Sequence, residues 1–61
     1  MIISLMLNDA DNTVYKVGSP VFSSFIKSID LINNVFEIRF RETTLVIYIP
    51  FHSVLLWRTD E

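Results

Sequence analysis

The sequence predicts a mainly β fold, either a small antiparallel sheet or a strongly bent small barrel of roughly five to six short strands. Residues 35–40, Val-Phe-Glu-Ile-Arg-Phe, alternate apolar and polar side chains with the period of two that a strand imposes. β-branched and aromatic residues are concentrated in several other short segments, and clusters of turn-forming residues separate them. The 61 residues allow one domain, 1–61.

The first two segments predict a hairpin. Residues 2–7 are rich in Ile and Leu, and the run Asn-Asp-Ala-Asp-Asn that follows them is typical of a turn. Residues 13–17 are β-branched and aromatic and end at Gly18, so they form the second strand.

Residues 20–30 leave two alternatives open. Ser19 followed by Pro20 is a good helix start, and Val21, Phe22, Phe25, Ile26 and Ile29 recur at helical spacing, which favours one short helix. The same segment is poor in strong helix formers and runs into Asn33-Asn34 as a strand runs into a tight turn. The second alternative is therefore a strand.

The C-terminal half predicts two paired strands and a short final one. Phe36, Ile38 and Phe40 face the core from the first strand, and residues 41–44 make a turn. The next strand, 45–49, turns Leu45, Ile47 and Ile49 inward and ends at Pro50. Residues 51–53 form one helical turn, 54–57 the last strand, and 58–61 a solvated tail.

Composition excludes the usual means of stabilising so small a domain. There is no cysteine for a disulfide or a thiolate metal site, and the single His52 cannot form a zinc site alone. Hydrophobic residues make up 51% of the chain, yet no apolar run is long enough for a membrane span. No signal peptide is recognisable at the start, so we expect a soluble cytoplasmic protein that does not bind membranes.

The sequence offers no catalytic constellation, metal site or cofactor site. His52 and Ser53 are adjacent, and neighbours on a strand point to opposite faces, so they are poorly placed to act together. Asp9 and Asp11 lack the glycine and the distant glutamate of a calcium loop and predict a turn instead. With one glycine, no glycine-rich phosphate loop is available. We therefore expect that this protein is not an enzyme.

Two surfaces are candidates for binding. The outward face of the two best-defined strands brings Arg39 and Arg41 close to Tyr48, a combination that can bind an anionic ligand. In the last strand Leu55 and Trp57 share one face while Val54 and Leu56 share the other, so both faces are apolar. A strand apolar on both sides is typical of a subunit interface, in which tryptophan is a favoured anchor.

These observations predict a non-enzymatic, homo-oligomeric module that binds a protein or an anionic ligand, acting as an inhibitor, an adaptor or a ligand-sequestering protein. Self-association would use Leu55 and Trp57. The alternative is a small-barrel protein that binds RNA or a nucleotide through Arg39, Arg41 and Tyr48. A net charge of −2, taken alone, argues weakly against that alternative.

Overall fold

The chain folds into seven antiparallel strands in a computed structural model that describes residues 1–60. Glu61, the end of the predicted tail, lies outside the described residues. A 3₁₀ turn at Phe51–Ser53 precedes the last strand, as the sequence predicted. The strands are β1 (Ile2–Leu7), β2 (Val14–Lys16), β3 (Pro20–Val21), β4 (Ser24–Ile32), β5 (Val35–Phe40), β6 (Val46–Pro50) and β7 (Val54–Thr59). The mainly β prediction is confirmed, and the tail is shorter than expected because β7 continues to Thr59.

The segment 20–30 is strand, not helix. Two residues, Phe22 and Ser23, connect β3 to β4, and their φ angles of 53° and 64° lie in the left-handed region, which a helix cannot contain. The helical spacing of Ile26 and Ile29 has another cause. Ile26 pairs with Phe40 but Ser28 pairs with Arg39, so Lys27 is an extra residue in β4.

That extra residue shifts the alternation of β4 by one position. Without it, two residues three apart would lie on opposite faces of the strand. With it, Ile26 and Ile29 are both buried, at 0% and 3% exposed. A β-bulge therefore accounts for the spacing of three between Ile26 and Ile29, which is part of the pattern that favoured the helix.

The sheet is built around β1. β7 pairs with β1 along one side. On the other side β1 pairs with β2 and, at the single residue pair Ile2–Ile29, with β4. β4, β5 and β6 continue the sheet in antiparallel order, giving β2-β1-β4-β5-β6 with β7 beside β1 and β3 beside β4. In the described part of the chain, β6 pairs only with β5 and β7 only with β1.

One hydrophobic core fills the inside of this bent sheet. Phe36, Ile38 and Phe40 are buried, as the alternation predicted. Ile49 of β6 and Val54 of β7 belong to the same core although those strands are not paired, so the sheet curls over its own interior like a partly open barrel. The buried residues are Leu5, Ile26, Ile29, Phe36, Ile38, Phe40, Ile49 and Val54.

Leu45 departs from the predicted inward pattern. β6 begins at Val46, and Leu45 is 44% exposed at the end of the preceding turn. Its backbone N–H donates to Oγ1 of Thr43 at 3.1 Å, a local turn contact that competes with strand pairing. Ile47 and Ile49 of the same strand do pack against or within the core.

Candidate functional site

The predicted anion-binding residues lie at two different places on the outer side of β5 and β6. Arg39 pairs with Val46, and Glu37 pairs with Tyr48, so Arg39 and Tyr48 are diagonal neighbours on one face. Arg41 follows the end of β5, four positions from the residue opposite Tyr48, or about 13 Å along an extended chain. The structure therefore brings together Arg39 and Tyr48 but leaves Arg41 apart.

A carboxylate pairs with the cation on this face. Nη1 of Arg39 donates to Oε1 of Glu37 at 2.9 Å, and the Glu37 side chain is only 16% exposed. Asp30 of β4 is the direct partner of Glu37 in the sheet. The ion pair with Glu37 neutralises the guanidinium, which disfavours an anionic ligand at Arg39.

The structure corrects the predicted faces of β7. Met6 pairs with Leu56, but Leu7 pairs with Val54, so Leu55 is an extra residue in β7. Cross-strand partners share a face, and Trp57 is the partner of the buried Leu5. Trp57 therefore lies on the core side, as Val54 does, and does not share a face with Leu55 as the alternation predicted.

Trp57 belongs to a cluster of three aromatic rings at one edge of the core. Its ring centroid lies 5.4 Å from that of Phe36 and 5.4 Å from that of Phe51. Phe36 and Phe51 are stacked at 5.9 Å. Phe36 is fully buried, whereas Phe51 and Trp57 are partly exposed, so the two outer rings cover the innermost one.

The strand β7 leaves much apolar surface exposed at the edge of the sheet. Leu55 is 54% exposed and Leu56 is 47% exposed. Arg58 is the one charged residue in the strand, and β7 contains no proline. Charged residues, prolines and bulges are what usually protect an edge strand from pairing with another chain, and β7 has little protection beyond its bulge.

A groove on the outer side of β2, β1 and β7 was not predicted from the sequence. It has a volume of about 360 Å³ and lies over two cross-strand rows. In one row Ser4 pairs with Lys16 on one side and Arg58 on the other; in the next, Met6 pairs with Val14 and Leu56 in the same way. We call this the β1 groove; its lining is Ile3, Ser4, Leu5, Met6, Val14, Lys16, Leu56 and Arg58.

Alternation along β1 is a signal that could have placed Ser4 and Met6 on the side opposite Leu5. The register that places Lys16 and Arg58 on either side of Ser4 was not evident from alternation. Ile3 is an extra residue in β1, since Ile2 pairs with Thr59 and Ser4 with Arg58. The bulge fixes which side chains reach the groove.

The residues considered for catalysis and metal binding have structural roles or lie exposed. His52 is exposed in the 3₁₀ turn. Asp9 closes the first turn: Oδ1 accepts from the Thr13 backbone N–H at 2.9 Å, and Oδ2 accepts from Oγ1 of Thr13 at 2.8 Å. These bonds, the backbone one foremost, hold the pKa of Asp9 below its ordinary value. Across residues 1–60, no cluster of three or more His, Cys, Asp or Glu side chains is arranged to hold a metal ion.

Comparison of the chain with protein-family models, with curated proteins and with solved structures finds no match. Among the residues that the structure describes, no helix has the length and apolarity needed to cross a membrane.

Proposed function

We propose that this protein is a non-enzymatic binding module that assembles with further copies of itself through β7. The supporting observation is the exposed apolar surface of this edge strand, where Leu55 and Leu56 each leave about half of their side chain in water. Burying such surface is favourable by about 25 cal/mol per Å². A second copy of the chain offers the same surface and an equally unpaired strand edge.

Pairing of β7 with β7 of a second copy is compatible with the charges on the strand. In an antiparallel pair with full overlap of Val54–Thr59, Leu55 of one copy faces Arg58 of the other. The two arginines then lie at opposite ends of the contact and do not repel each other directly. The other sheet edge is less suited, because β6 ends in Pro50, which has no backbone N–H to donate.

Assembly of this kind supports a role in binding another protein, as an inhibitor, an adaptor or a ligand-sequestering protein. The alternative role in RNA or nucleotide binding has weaker support. Tyr48 is 63% exposed and free to stack, but the arginine beside it is already paired with Glu37.

Sedimentation equilibrium of the wild-type chain and two variants tests the assembly. We expect the wild type to sediment as an oligomer at micromolar concentration and Leu55→Lys as a monomer, because the new ammonium group would face Arg58 of the other copy and repel it. Leu45→Lys is the matched control: it makes the same change at a similarly exposed leucine outside β7 and should leave the oligomer intact. Circular dichroism establishes that both variants are folded. A wild-type monomer, or equal loss of assembly in both variants, would contradict the proposal.

A further inference from the structure

The β1 groove has a basic end. Ser4 lies between Lys16 and Arg58 as the cross-strand partner of both. Adjacent strands are about 4.8 Å apart, so the backbones of the two cations are about 10 Å apart with the serine hydroxyl between them. Long, flexible side chains at that separation can reach a common anion from both sides.

The positive charge at this end is not compensated. Within residues 1–60, neither Lys16 nor Arg58 has a carboxylate within salt-bridge distance, and no acidic residue lines the groove. Arg39 on the β5–β6 face differs, since Glu37 already neutralises it. A chain with a net charge of −2 thus carries a local basic site at which an anion has no carboxylate to displace.

The other end of the groove is apolar. Met6 lies two residues from Ser4 along β1, a distance of about 7 Å, and is flanked by Val14 and Leu56. Val14 is 53% exposed and Leu56 is 47% exposed, so this row has apolar surface left to cover. The volume of about 360 Å³ is in the range of ligand sites, which span about 300–1,000 Å³.

We propose that the β1 groove binds a small amphiphilic anion, with a phosphate- or carboxylate-type head between Lys16 and Arg58 and an aliphatic chain across Met6, Val14 and Leu56. The Ser4 hydroxyl donates to the head as a third contact. The polarity of the two rows sets the orientation, because reversing the ligand would place its charge on apolar side chains. This binding site goes beyond the proposed assembly through β7.

Isothermal titration calorimetry with decyl phosphate, below its micelle concentration, tests the site. Every titration uses Leu55→Lys, so that the outcome does not depend on self-association. We expect Lys16→Gln and Arg58→Gln each to weaken binding by on the order of tenfold, since each removes a charge-assisted hydrogen bond. Lys27→Gln, the matched control, removes an exposed cation outside the groove and should leave the affinity unchanged.

Further probes separate the two ends of the ligand. Leu56→Gln should weaken the binding of decyl phosphate. Inorganic phosphate lacks the aliphatic chain and decyl maltoside lacks the anionic head, so each should bind at least about tenfold more weakly than decyl phosphate. Amide chemical-shift changes at Ser4, Lys16 and Arg58 should locate the ligand. Equal affinity in Lys16→Gln, Arg58→Gln and Lys27→Gln would overturn the proposal. Binding only to vesicles containing phosphatidylglycerol would overturn it too, by assigning the groove to a membrane surface.

Discussion

Replacing Trp57 with alanine should destabilise the fold far more than replacing Leu55, although both were predicted to anchor an interface. Trp57 is 38% exposed, so about three-fifths of its side chain is removed from water. Aromatic side chains bury about 150–250 Å², and at about 25 cal/mol per Å² that fraction corresponds to roughly 2–4 kcal/mol. Leu55 is 54% exposed, and the same reasoning gives roughly 1 kcal/mol.

The difference is large relative to the stability of so short a chain. At about 0.05–0.15 kcal/mol per residue, 61 residues give a free energy of unfolding of about 3–9 kcal/mol. Trp57→Ala should therefore remove a substantial part of the total, and Leu55→Ala a minor part. Loss of the ring contacts with Phe36 and Phe51 adds to the cost for Trp57.

Urea unfolding followed by far-ultraviolet circular dichroism measures both variants without relying on tryptophan fluorescence. Each variant and the wild type are measured at protein concentrations at which sedimentation shows a monomer, which keeps self-association out of the measured stability. A double-mutant cycle with Phe51→Leu and Trp57→Leu should give a coupling of about 0.5–1.5 kcal/mol for the ring pair. If Trp57→Ala costs no more than Leu55→Ala, Trp57 is not the core-covering residue that the register indicates.

Two further predictions concern the turns. The pKa of Asp9 is held below its ordinary value of 3.8, so the stability contributed by its carboxylate is present above about pH 4 and is lost as the pH falls through the lowered folded value. Asp9→Asn should melt at a lower temperature than the wild type near pH 6, and the two melting curves should converge near pH 2; a constant difference would contradict this. Gly18 has a φ of +92° and open space where a Cβ would lie, so Gly18→Ala should cost about 1–2 kcal/mol through backbone strain alone. We expect the Tm to fall by at least about 4 °C, and an unchanged Tm would refute this strain.

The strand at residues 35–40 could be predicted because local pattern and tertiary environment agree there. The alternation of residues 35–40 continues without a bulge, so the three apolar side chains that the pattern turned inward are the ones that the core buries. Pro50 and the short turn after it have local backbone preferences that need no knowledge of the remaining fold.

Bulges account for one alternative that the sequence left open and for one wrong prediction. In β4 the extra residue Lys27 places Ile26 and Ile29 on one face, and in β7 the extra residue Leu55 does the same for Val54 and Trp57. A spacing of three is typical of a helix and contradicts a regular strand. Neither bulge could be found from the sequence, because a bulge depends on the partner strand, whose register is not evident from a local sequence pattern.

In the candidate sites, too, some features follow from local sequence and others from strand register. The sequence by itself determined a mainly β chain, the inward face of β5 and the absence of a cysteine-based site, because these follow from composition and local backbone preference. Only the tertiary structure decided that Glu37 neutralises Arg39, that Trp57 packs on the core and that Lys16 and Arg58 lie on either side of Ser4. Each of those depends on which residues lie opposite each other across strands, and that register is set by packing of the whole sheet around its core.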